Sequence, residues 1–262
     1  DWHNMNPYTR KYSALRKLRI MATQGLDLPR NQTLLHQKLK FKYSNQVGGT
    51  EEVTLRINGR KYRIDVLDSK RNAVYEIQRS NFGGKFSQKI GGILKAPGFK
   101  IVIVHPIISK QKVTLMNKGE ILGVRNYKKG NNIYSLFEKL VHFKVEFIPQ
   151  RMEIDVVFIQ EHVIKEFVGL YGRSMRRKYV VIQRDLLSIE EIMKFQTKSD
   201  FIEILPDGLP EVFTNRDLAE RLEVRGHKRR IQRTSGLITY TLCRLGILNR
   251  VGSRGRAHEF SI

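Results

Sequence analysis

Three β-rich segments separated by two short turns lie within residues 52–79, and they constrain the fold more than any other feature. The dipeptide Asn58–Gly59 is typical of a tight β-hairpin. The polar stretch DSKRN, at 68–72, provides a second turn. The sequence therefore predicts three consecutive strands, at 52–57, 60–67 and 73–79.

Helical spacing follows these strands and then gives way to another apolar run. The stripe Phe82, Phe86, Ile90 and Ile93 predicts a helix. The continuous apolar run FKIVIVHPI, at 99–107, is typical of a strand buried on both faces. A crossover helix between the third and fourth strands predicts an α/β fold with a mixed sheet.

Two further helices are predicted near the start of the sequence, a basic one at 8–22 and one at 31–43 with Asn31 as its cap. The region 111–190 alternates strand-like and helix-like runs, so its structure stays open between an extension of the sheet and a connecting domain. The predicted domains are accordingly a core at 1–110, this region at 111–190 and a C-terminal domain at 191–262.

The C-terminal domain has the pattern of a winged helix. Thr214 or Asn215 caps a first helix, and a longer helix follows within 227–248. The segment LNRVGSRGRAHEFSI then predicts two short strands joined by a basic, glycine-rich turn. Helix, turn, helix and hairpin in this order are the plan of a winged-helix domain.

The net charge predicts a polyanionic partner. The chain has 48 Lys+Arg against 25 Asp+Glu, a formal charge of +23, which favours nucleic acid through counterion release. No basic amphipathic helix stands out for membrane attachment, and the apolar runs are too short to span a bilayer. A single cysteine, Cys243, excludes an internal disulfide framework. These features predict a cytoplasmic protein, associated with the nucleoid if the cell is prokaryotic.

Two acids stand inside the apolar strands of the first segment. Side chains alternate between the faces of a strand, so Glu76 and Gln78 share one face of the third strand. If the DSKRN turn joins the second and third strands as a hairpin, Asp65 and Glu76 converge at one end of the sheet. Two carboxylates this close repel each other unless a cation lies between them, and Mg²⁺ prefers such oxygen ligands.

The arrangement of Asp65, then EIQ at 76–78, then a helix and a buried strand resembles the PD-(D/E)xK nuclease superfamily. The resemblance covers roughly 31–108 and is to the E-x-Q form found in competence CoiA-like nucleases and some restriction enzymes. It implies a restriction-endonuclease-like core that hydrolyses phosphodiesters with Mg²⁺ or Mn²⁺. Catalysis would involve Asp65, Glu76 and Gln78, and the metal ligands would be Asp65, Glu76 and the carbonyl of Ile77.

The sequence departs from the family pattern at three places. Ile64 replaces the proline before the motif aspartate, and Gln78 replaces the lysine, which removes a fixed positive charge. The first helix has His36 and Gln37 where many members have an acid, although Glu51 or Glu52 could approach the site. A second pair of acids, Glu153 and Asp155, is followed by His162 and is interpreted as part of a surface strand.

Double-stranded DNA is the expected partner, and a homodimer is favoured because cutting both strands takes two active sites. The alternatives left open are a non-catalytic DNA-binding regulator or assembly factor with a degenerate nuclease fold, and a protein that binds or cuts RNA. The predicted DNA-binding residues are basic and lie on the helix after the third strand and in the winged helix: Lys85, Arg216, Lys228, Arg229, Arg230, Arg233, Arg250, Arg254 and Arg256.

Overall fold

The computed structural model describes residues 33–171, 176–224 and 227–262. The basic helix predicted at 8–22 and the predicted cap Asn31 lie outside these residues. The first described helix, α1, is Leu34–Val47, and the backbone N–H of His36 donates to Thr33 Oγ1 (3.3 Å) at its start. The helix is therefore present at the predicted place and extends further than 43.

Three antiparallel strands follow α1, as the turn signals predict. They are β1 Thr50–Ile57, β2 Arg60–Asp68 and β3 Ala73–Ile77. Asn58 and Gly59 have φ angles of 47° and 75° between β1 and β2. Positive φ at both central residues is the conformation that favours an Asn-Gly dipeptide in a hairpin.

Helix α2, Gly84–Leu94, connects β3 to β4, Lys100–Asn117. β3 and β4 pair in parallel, from Ala73 opposite Lys100 to Ile77 opposite Val104. A parallel pair needs a crossover connection, which α2 supplies. The protein is thus a mixed α/β protein whose sheet contains parallel and antiparallel strands. β4 continues ten residues beyond the predicted end at 107.

Long strands make up most of the region 111–190. β5 is Glu120–Lys128, β6 is Met152–Tyr171 and β7 is Arg176–Phe195, and between β5 and β6 lie a 3₁₀ turn, Ile133–Leu136, and the short helix α3, Phe137–Leu140. Within the described residues the sheet has seven strands in the order β1-β2-β3-β4-β6-β7, with β5 paired to β4. The region therefore extends the sheet, which was one of the two alternatives that the sequence left open.

The C-terminal segment forms helices followed by a hairpin. Its elements are α4 Lys198–Glu203, β8 Val212–Thr214, α5 Asn215–Arg221, α6 Lys228–Arg244, β9 Asn249–Arg254 and β10 Ala257–Ser261. A small sheet has the order β8-β10-β9. Thr214 caps α5 as predicted, since its side chain accepts from the N–H of Asp217 while the Asp217 carboxylate accepts from the N–H of Thr214.

The chain divides into two compact units. Of the described residues, one unit takes in those up to Leu39 and those within Ile108–Lys129 and Ile159–Ile189, and the other takes in those within Lys40–Ile107, Gly130–Phe158 and Glu190–Ile262. The domain boundaries at 110 and 190 stay a prediction. In the part of the chain that the structure describes, no helix is both long enough and apolar enough to cross a membrane.

Candidate active site

Asp65 and Glu76 face each other across β2 and β3. Val66 pairs with Tyr75 in this antiparallel ladder, so the next step of the register places Asp65 opposite Glu76. Directly opposed residues of an antiparallel pair project from the same face of the sheet. The negative charge of Asp65 contributes to a raised pKa at Glu76, which agrees with this proximity. The two acids therefore converge as the hairpin predicts.

Glu76 is an almost completely buried acid, with 4% of its surface exposed. Its Oε2 accepts a hydrogen bond from Lys89 Nζ on α2 at 2.6 Å. Its Oε1 is also buried and has no hydrogen-bond partner within the described residues. Burial raises the pKa of Glu76 to about 7, the Lys89 ammonium opposes this shift, and the charge of Asp65 adds to it.

Asp65 is half-buried and is oriented by the backbone of β3. The N–H of Ile77 donates to Asp65 Oδ2 at 2.8 Å. In an extended strand the N–H and C=O of one residue point to the same side, so we expect the Ile77 carbonyl to leave β3 on the side of Asp65. A carbonyl there would add a third oxygen to the two carboxylates, as the metal-ligand prediction requires.

Gln78 is held by the loop that follows β3. Its Nε2 donates to Ser80 Oγ (2.8 Å) and to the carbonyl of Asn81 (2.9 Å). The backbone carbonyl oxygen of Gln78 lies 2.6 Å from Nδ1 of the buried His105. Because a carbonyl oxygen only accepts hydrogen bonds, Nδ1 carries the proton. Burial lowers the pKa of His105 to about 4, so the ring is neutral. The side-chain amide nitrogen of Gln78 therefore stabilises the loop after β3 by its hydrogen bonds to Ser80 and Asn81.

The residues at this point of the sheet fit a divalent cation. A buried carboxylate oxygen without a donor is costly, and Glu76 Oε1 is such an atom beside a second carboxylate. Mg²⁺ is commonly held by one or two carboxylates, with water and phosphate as its other ligands. In the described part of the chain no group of three or more His, Cys, Asp or Glu side chains could hold a metal ion. A metal here would depend on the acid pair.

Sequence reasoning missed Lys89, although a signal for it exists. The helical stripe of α2 includes Phe86 and Ile93, and Lys89 is three residues after the first and four before the second. Residues at these spacings lie on the same face of a helix. Lys89 therefore lies beside the apolar stripe of α2 that packs on the sheet. The methylene groups of its side chain can pack there, and only its terminal ammonium group needs a polar partner.

The acids near the start of β1 have other partners. Glu52 forms ion pairs with Lys40 of α1 and with Arg63 of β2. Glu51 accepts a hydrogen bond from Ser44 at 2.6 Å. The cations beside Glu52 neutralise its charge, and a role for Glu51 or Glu52 in place of the missing first-helix acid stays a prediction.

All nine predicted DNA-binding residues are exposed. On α6 and the β9–β10 hairpin they form what we call the C-terminal basic surface: Lys228, Arg229, Arg230, Arg233, Arg250, Arg254 and Arg256. Within this surface Arg254 pairs with Glu259 at 3.0 Å. Arg216 on α5 is exposed and pairs with Glu220 at 2.9 Å, and Lys85 is exposed at the start of α2.

Glu153 and Asp155 are buried, so their interpretation as part of a surface strand is wrong. Lys100 Nζ lies 2.6 Å from Glu153, and Tyr43 donates to Asp155 at 2.8 Å. Burial and the adjacent Glu153 raise the pKa of Asp155, whereas Lys100 and other donors lower that of Glu153 against the effect of burial. Sequence alternation places both acids on one face but does not show what covers that face.

Together these features define a mixed α/β protein with an acid pair and a lysine at the end of a β-hairpin. The chain belongs to the family described as domain of unknown function DUF8091, whose model matches residues 33–196. The match includes the acid pair and Lys89 and ends before α4. The chain is also similar to an uncharacterized protein of Treponema pallidum (strain Nichols), with 25% identity over 190 residues that cover 72% of each chain. No solved structure matches the chain.

Proposed function

We propose that this protein is a metal-dependent DNA endonuclease of the PD-(D/E)xK type that uses its C-terminal winged helix to hold duplex DNA. The observation that carries the proposal is the acid pair. Asp65 and Glu76 stand one step beyond the Val66–Tyr75 pair of the β2–β3 ladder, and Glu76 presents a buried oxygen that has no donor within the described residues. The order β1-β2-β3, then α2, then the parallel β4 supports a restriction-endonuclease-like core around them.

Asp65, Glu76 and the carbonyl of Ile77 would hold Mg²⁺ or Mn²⁺. Such an ion lowers the pKa of a bound water and stabilises the negative charge of a phosphoryl group undergoing substitution. Asp65 is positioned for this role by the N–H of Ile77, so its carboxylate needs little rearrangement. The roles of Asp65 and Glu76 as ligands follow the resemblance, and the geometry is compatible with them.

Lys89 supplies the positive charge that Gln78 lacks. Its ammonium group contacts Glu76, the acid of the E-x-Q element, from the following helix. A fixed cation beside the metal ligands can stabilise charge that develops on the scissile phosphate. Gln78 has a different role in this proposal, because its amide holds the loop after β3 through Ser80 and Asn81.

The C-terminal basic surface supports duplex binding. Arg229, Arg230 and Arg233 are exposed on the first turns of α6, and Arg250 and Arg256 are exposed on the hairpin that follows. In winged-helix proteins these elements contact the grooves and the phosphate backbone. Metal-assisted hydrolysis has no sequence preference of its own, so a separate DNA-binding element is a reasonable means of choosing the site.

Cleavage of supercoiled plasmid DNA tests the proposal directly. We expect the wild-type protein to nick or linearise the plasmid with Mg²⁺ or Mn²⁺, and we expect Asp65→Asn and Glu76→Gln each to reduce the rate at least about 100-fold. Glu138→Gln, which neutralises an exposed acid on α3, is the matched control and should cleave normally. Addition of Mn²⁺ should raise the melting temperature of the wild type and leave that of Asp65→Asn unchanged.

The second candidate is a non-catalytic DNA-binding factor built on the same fold. Two features of Gln78 favour a non-catalytic protein. It replaces the lysine of the motif, and its side-chain amide is bonded to the loop after β3. A folded wild-type protein that binds duplex DNA but leaves plasmid and structured RNA intact with both metals would establish this candidate. Cleavage of RNA alone would instead identify a ribonuclease.

A further inference from the structure

The C-terminal basic surface and the acid pair belong to elements that share one hydrophobic core. Ile238 of α6 lies in the same apolar cluster as Val74 of β3 and Ile90 of α2. α6 also packs against the short helix α3, and Arg244 Nη1, at the end of α6, donates to the carbonyl of Val141 at 3.2 Å. These contacts fix α6 beside the segment that follows α3, within a single compact unit of the described residues.

The segment that follows α3 also contacts the loop between β3 and α2. The N–H of Phe82 in this loop donates to the carbonyl of Lys139 at 3.3 Å. The backbone of Gly83 is so close to His142 that an added Cβ would lie 3.1 Å from His142 Cβ. The segment therefore connects α6 to the loop that begins at Gln78.

Lys139 and Arg79 place positive charge next to the E-x-Q element. Burial lowers the pKa of His105 to about 4, although the Gln78 carbonyl opposes the shift. The charges of Lys139 and Arg79 lower this pKa further, so both cations lie near the ring. Since the ring contacts the Gln78 carbonyl, the two cations are also near the motif. Glu138, the acid next to Lys139 in the sequence, forms no ion pair with it among the described residues.

One face of α6 carries a stripe of exposed side chains that ends at Arg244. The stripe consists of Arg229, Arg233, Tyr240 and Arg244, whose spacings of four and seven residues place them on one side of a helix. The Arg244 guanidinium lies over the Tyr240 ring, 5.7 Å from its centroid. Gly236 falls on the same face, and a Cβ added there would meet no described atom within 4 Å. The stripe thus leads along an open face to the end of α6 that contacts the segment after α3.

Long stretches on both sides of this junction contain no acidic residue. The sequence has no Asp or Glu at 77–119, which includes the loop after β3 and α2. It has none at 224–258 either, which includes α6 and most of the β9–β10 hairpin. Cations that few acids compensate raise the local concentration of anions through the field that they produce. An excess of positive charge that continues from α6 towards the acid pair is suited to a polyanion.

We propose that Lys139 and Arg244 form a basic bridge between the C-terminal basic surface and the acid pair, so that the phosphate backbone of one nucleic-acid molecule contacts all three. A strand of nucleic acid has a charge at every nucleotide, which matches cations that recur along α6 and continue over the bridge. The inference rests on the proposed binding of nucleic acid by the C-terminal basic surface, and it does not require cleavage. If the protein cleaves, the broken bond lies at a fixed distance from the nucleotides that α6 contacts.

The salt dependence of binding to a short duplex, measured without a divalent metal, tests the bridge. The double variant Lys139→Gln, Arg244→Gln should weaken binding on the order of tenfold and reduce the slope of log K against log salt by about two. Lys139→Arg, Arg244→Lys keeps both charges and should retain the wild-type slope. Lys70→Gln, Lys95→Gln is the matched control, because it removes the same charge from exposed lysines outside the bridge.

Contact of one molecule with both surfaces predicts that their effects add. Arg229→Gln and Arg233→Gln, combined with the two bridge substitutions, should reduce the slope by about four in total. Far-UV circular dichroism and thermal unfolding check that each variant is folded.

Photocross-linking tests the position of the nucleic acid directly. An azidophenyl group is attached to the thiol of Lys139→Cys in a Cys243→Ser background, and the protein is irradiated with a labelled duplex. We expect a cross-link to form about as efficiently as from Arg233→Cys on α6. The same group on Lys70→Cys, in the turn before β3, should give only the background level.

Three results would overturn the bridge: a wild-type slope in Lys139→Gln, Arg244→Gln, effects that do not add to those of the α6 variants, or no cross-link above background from position 139. Normal plasmid cleavage together with any of these would leave the proposed function standing without the bridge. Duplex binding with the expected slopes and cross-links, but no cleavage with Mg²⁺ or Mn²⁺, would instead remove the nuclease and retain the bridge. A wild-type protein that binds no nucleic acid would remove both.

Discussion

At the scale of single residues, Glu76 has the least favourable environment among the predicted site residues. A buried carboxylate loses its hydration; Lys89 donates to Oε2 of Glu76, but its Oε1 has no hydrogen-bond partner among the described residues. The protonated form is therefore favoured in the folded state up to a pH of about 7. Burial of the Glu76 carboxylate costs free energy and brings no evident structural benefit, which makes its surroundings a candidate functional site.

Replacement of Glu76 by Gln should remove a pH dependence of stability. The pKa of Glu76 is raised from 4.5 to about 7 on folding, so its contribution is fully present below pH 4.5 and is lost as the pH rises through 7. The free energy of unfolding of the wild type relative to Glu76→Gln should therefore fall by on the order of 3 kcal/mol between pH 4 and pH 8. Urea unfolding of both proteins across this range measures the difference.

Glu138→Gln is the control for this experiment, because Glu138 is exposed and should show no comparable change. A difference between wild type and Glu76→Gln that stays constant with pH would show that Glu76 titrates normally.

Lys89 should be required for the chemical step if it supplies charge to the scissile phosphate. We expect Lys89→Met to lower kcat by roughly 100- to 1000-fold with little change in KM, and Lys89→Arg to retain more activity because it keeps the charge. Lys95→Met, which removes an exposed lysine just after α2, should cleave plasmid at the wild-type rate. Equal losses in Lys89→Met and Lys89→Arg would point to a packing role instead.

At the scale of secondary-structure elements, the close approach of α2 to β2 positions Lys89. Gly92 of α2 lies against the ring of Tyr62: a Cβ added there would overlap the Tyr62 hydroxyl oxygen and lie 2.8 Å from Tyr62 Cε1. Glycine at 92 thus allows the helix to approach the sheet closely. At Gly91 an added Cβ would lie 3.6 Å from Val145 Cγ2, an ordinary contact.

These two adjacent glycines allow a matched prediction. Gly92→Ala should cost about 1–3 kcal/mol of stability because it overpacks the contact with Tyr62. Gly91→Ala should be neutral or stabilise the protein by up to about 1 kcal/mol, since alanine is the better helix former. Thermal or urea unfolding measures both effects.

Tyr62 should account for the difference between the two glycines. In a Tyr62→Ala background the cost of Gly92→Ala should largely disappear, because the clashing ring is absent. If Gly92→Ala is equally destabilising in that background, another contact of α2 is responsible.

At the scale of the whole molecule, the formal charge of +23 is the property expected to govern electrostatic binding to other macromolecules. A polyanion that binds so many cations gains from the release of its counterions, so such binding should weaken as the salt concentration rises. The salt dependence of binding therefore distinguishes contacts of the C-terminal basic surface from the general effect of charge.

Removal of two arginines from α6 should change this salt dependence. The double variant Arg229→Gln, Arg233→Gln should reduce the slope of log K against log salt by about two, one for each phosphate that is no longer neutralised. Fluorescence anisotropy with a short duplex measures the slope at several salt concentrations. Two changes outside α6, Lys70→Gln and Lys95→Gln, remove the same charge from exposed lysines and should leave the slope nearly unchanged. Equal slopes in all proteins would exclude α6 from the interface.

Local signals were sufficient for the hairpin, the crossover helix and the cap of α5. Asn58–Gly59 and the DSKRN turn specify both turns of the β1–β3 meander, and the alternation of side chains then places Asp65 and Glu76 on one face. The capping of α5 by Thr214 likewise depends on residues three apart. Such features can be predicted because neighbours in the sequence determine them.

The structure of 111–190 could not be predicted in the same way. Long runs such as MEIDVVFIQEHVIKEFVGLY mix strand-like alternation with helix-like spacing, and β6 follows from pairing with neighbours that are distant in the sequence. The burial of Glu153 and Asp155 could not be predicted either, because their partners Tyr43 and Lys100 belong to other elements.

The sequence by itself determined the turns, the order of the first strands and the position of the acid pair, and its net charge predicts a polyanionic partner. Those properties come from steric preferences, from the two-residue period of a strand and from net charge. Tertiary structure alone decided that Lys89 meets Glu76, that one oxygen of Glu76 is buried without a donor among the described residues, and that β5 is left at an edge. Each of these depends on which distant segments pack together, because burial and electrostatic contact are properties of the folded chain.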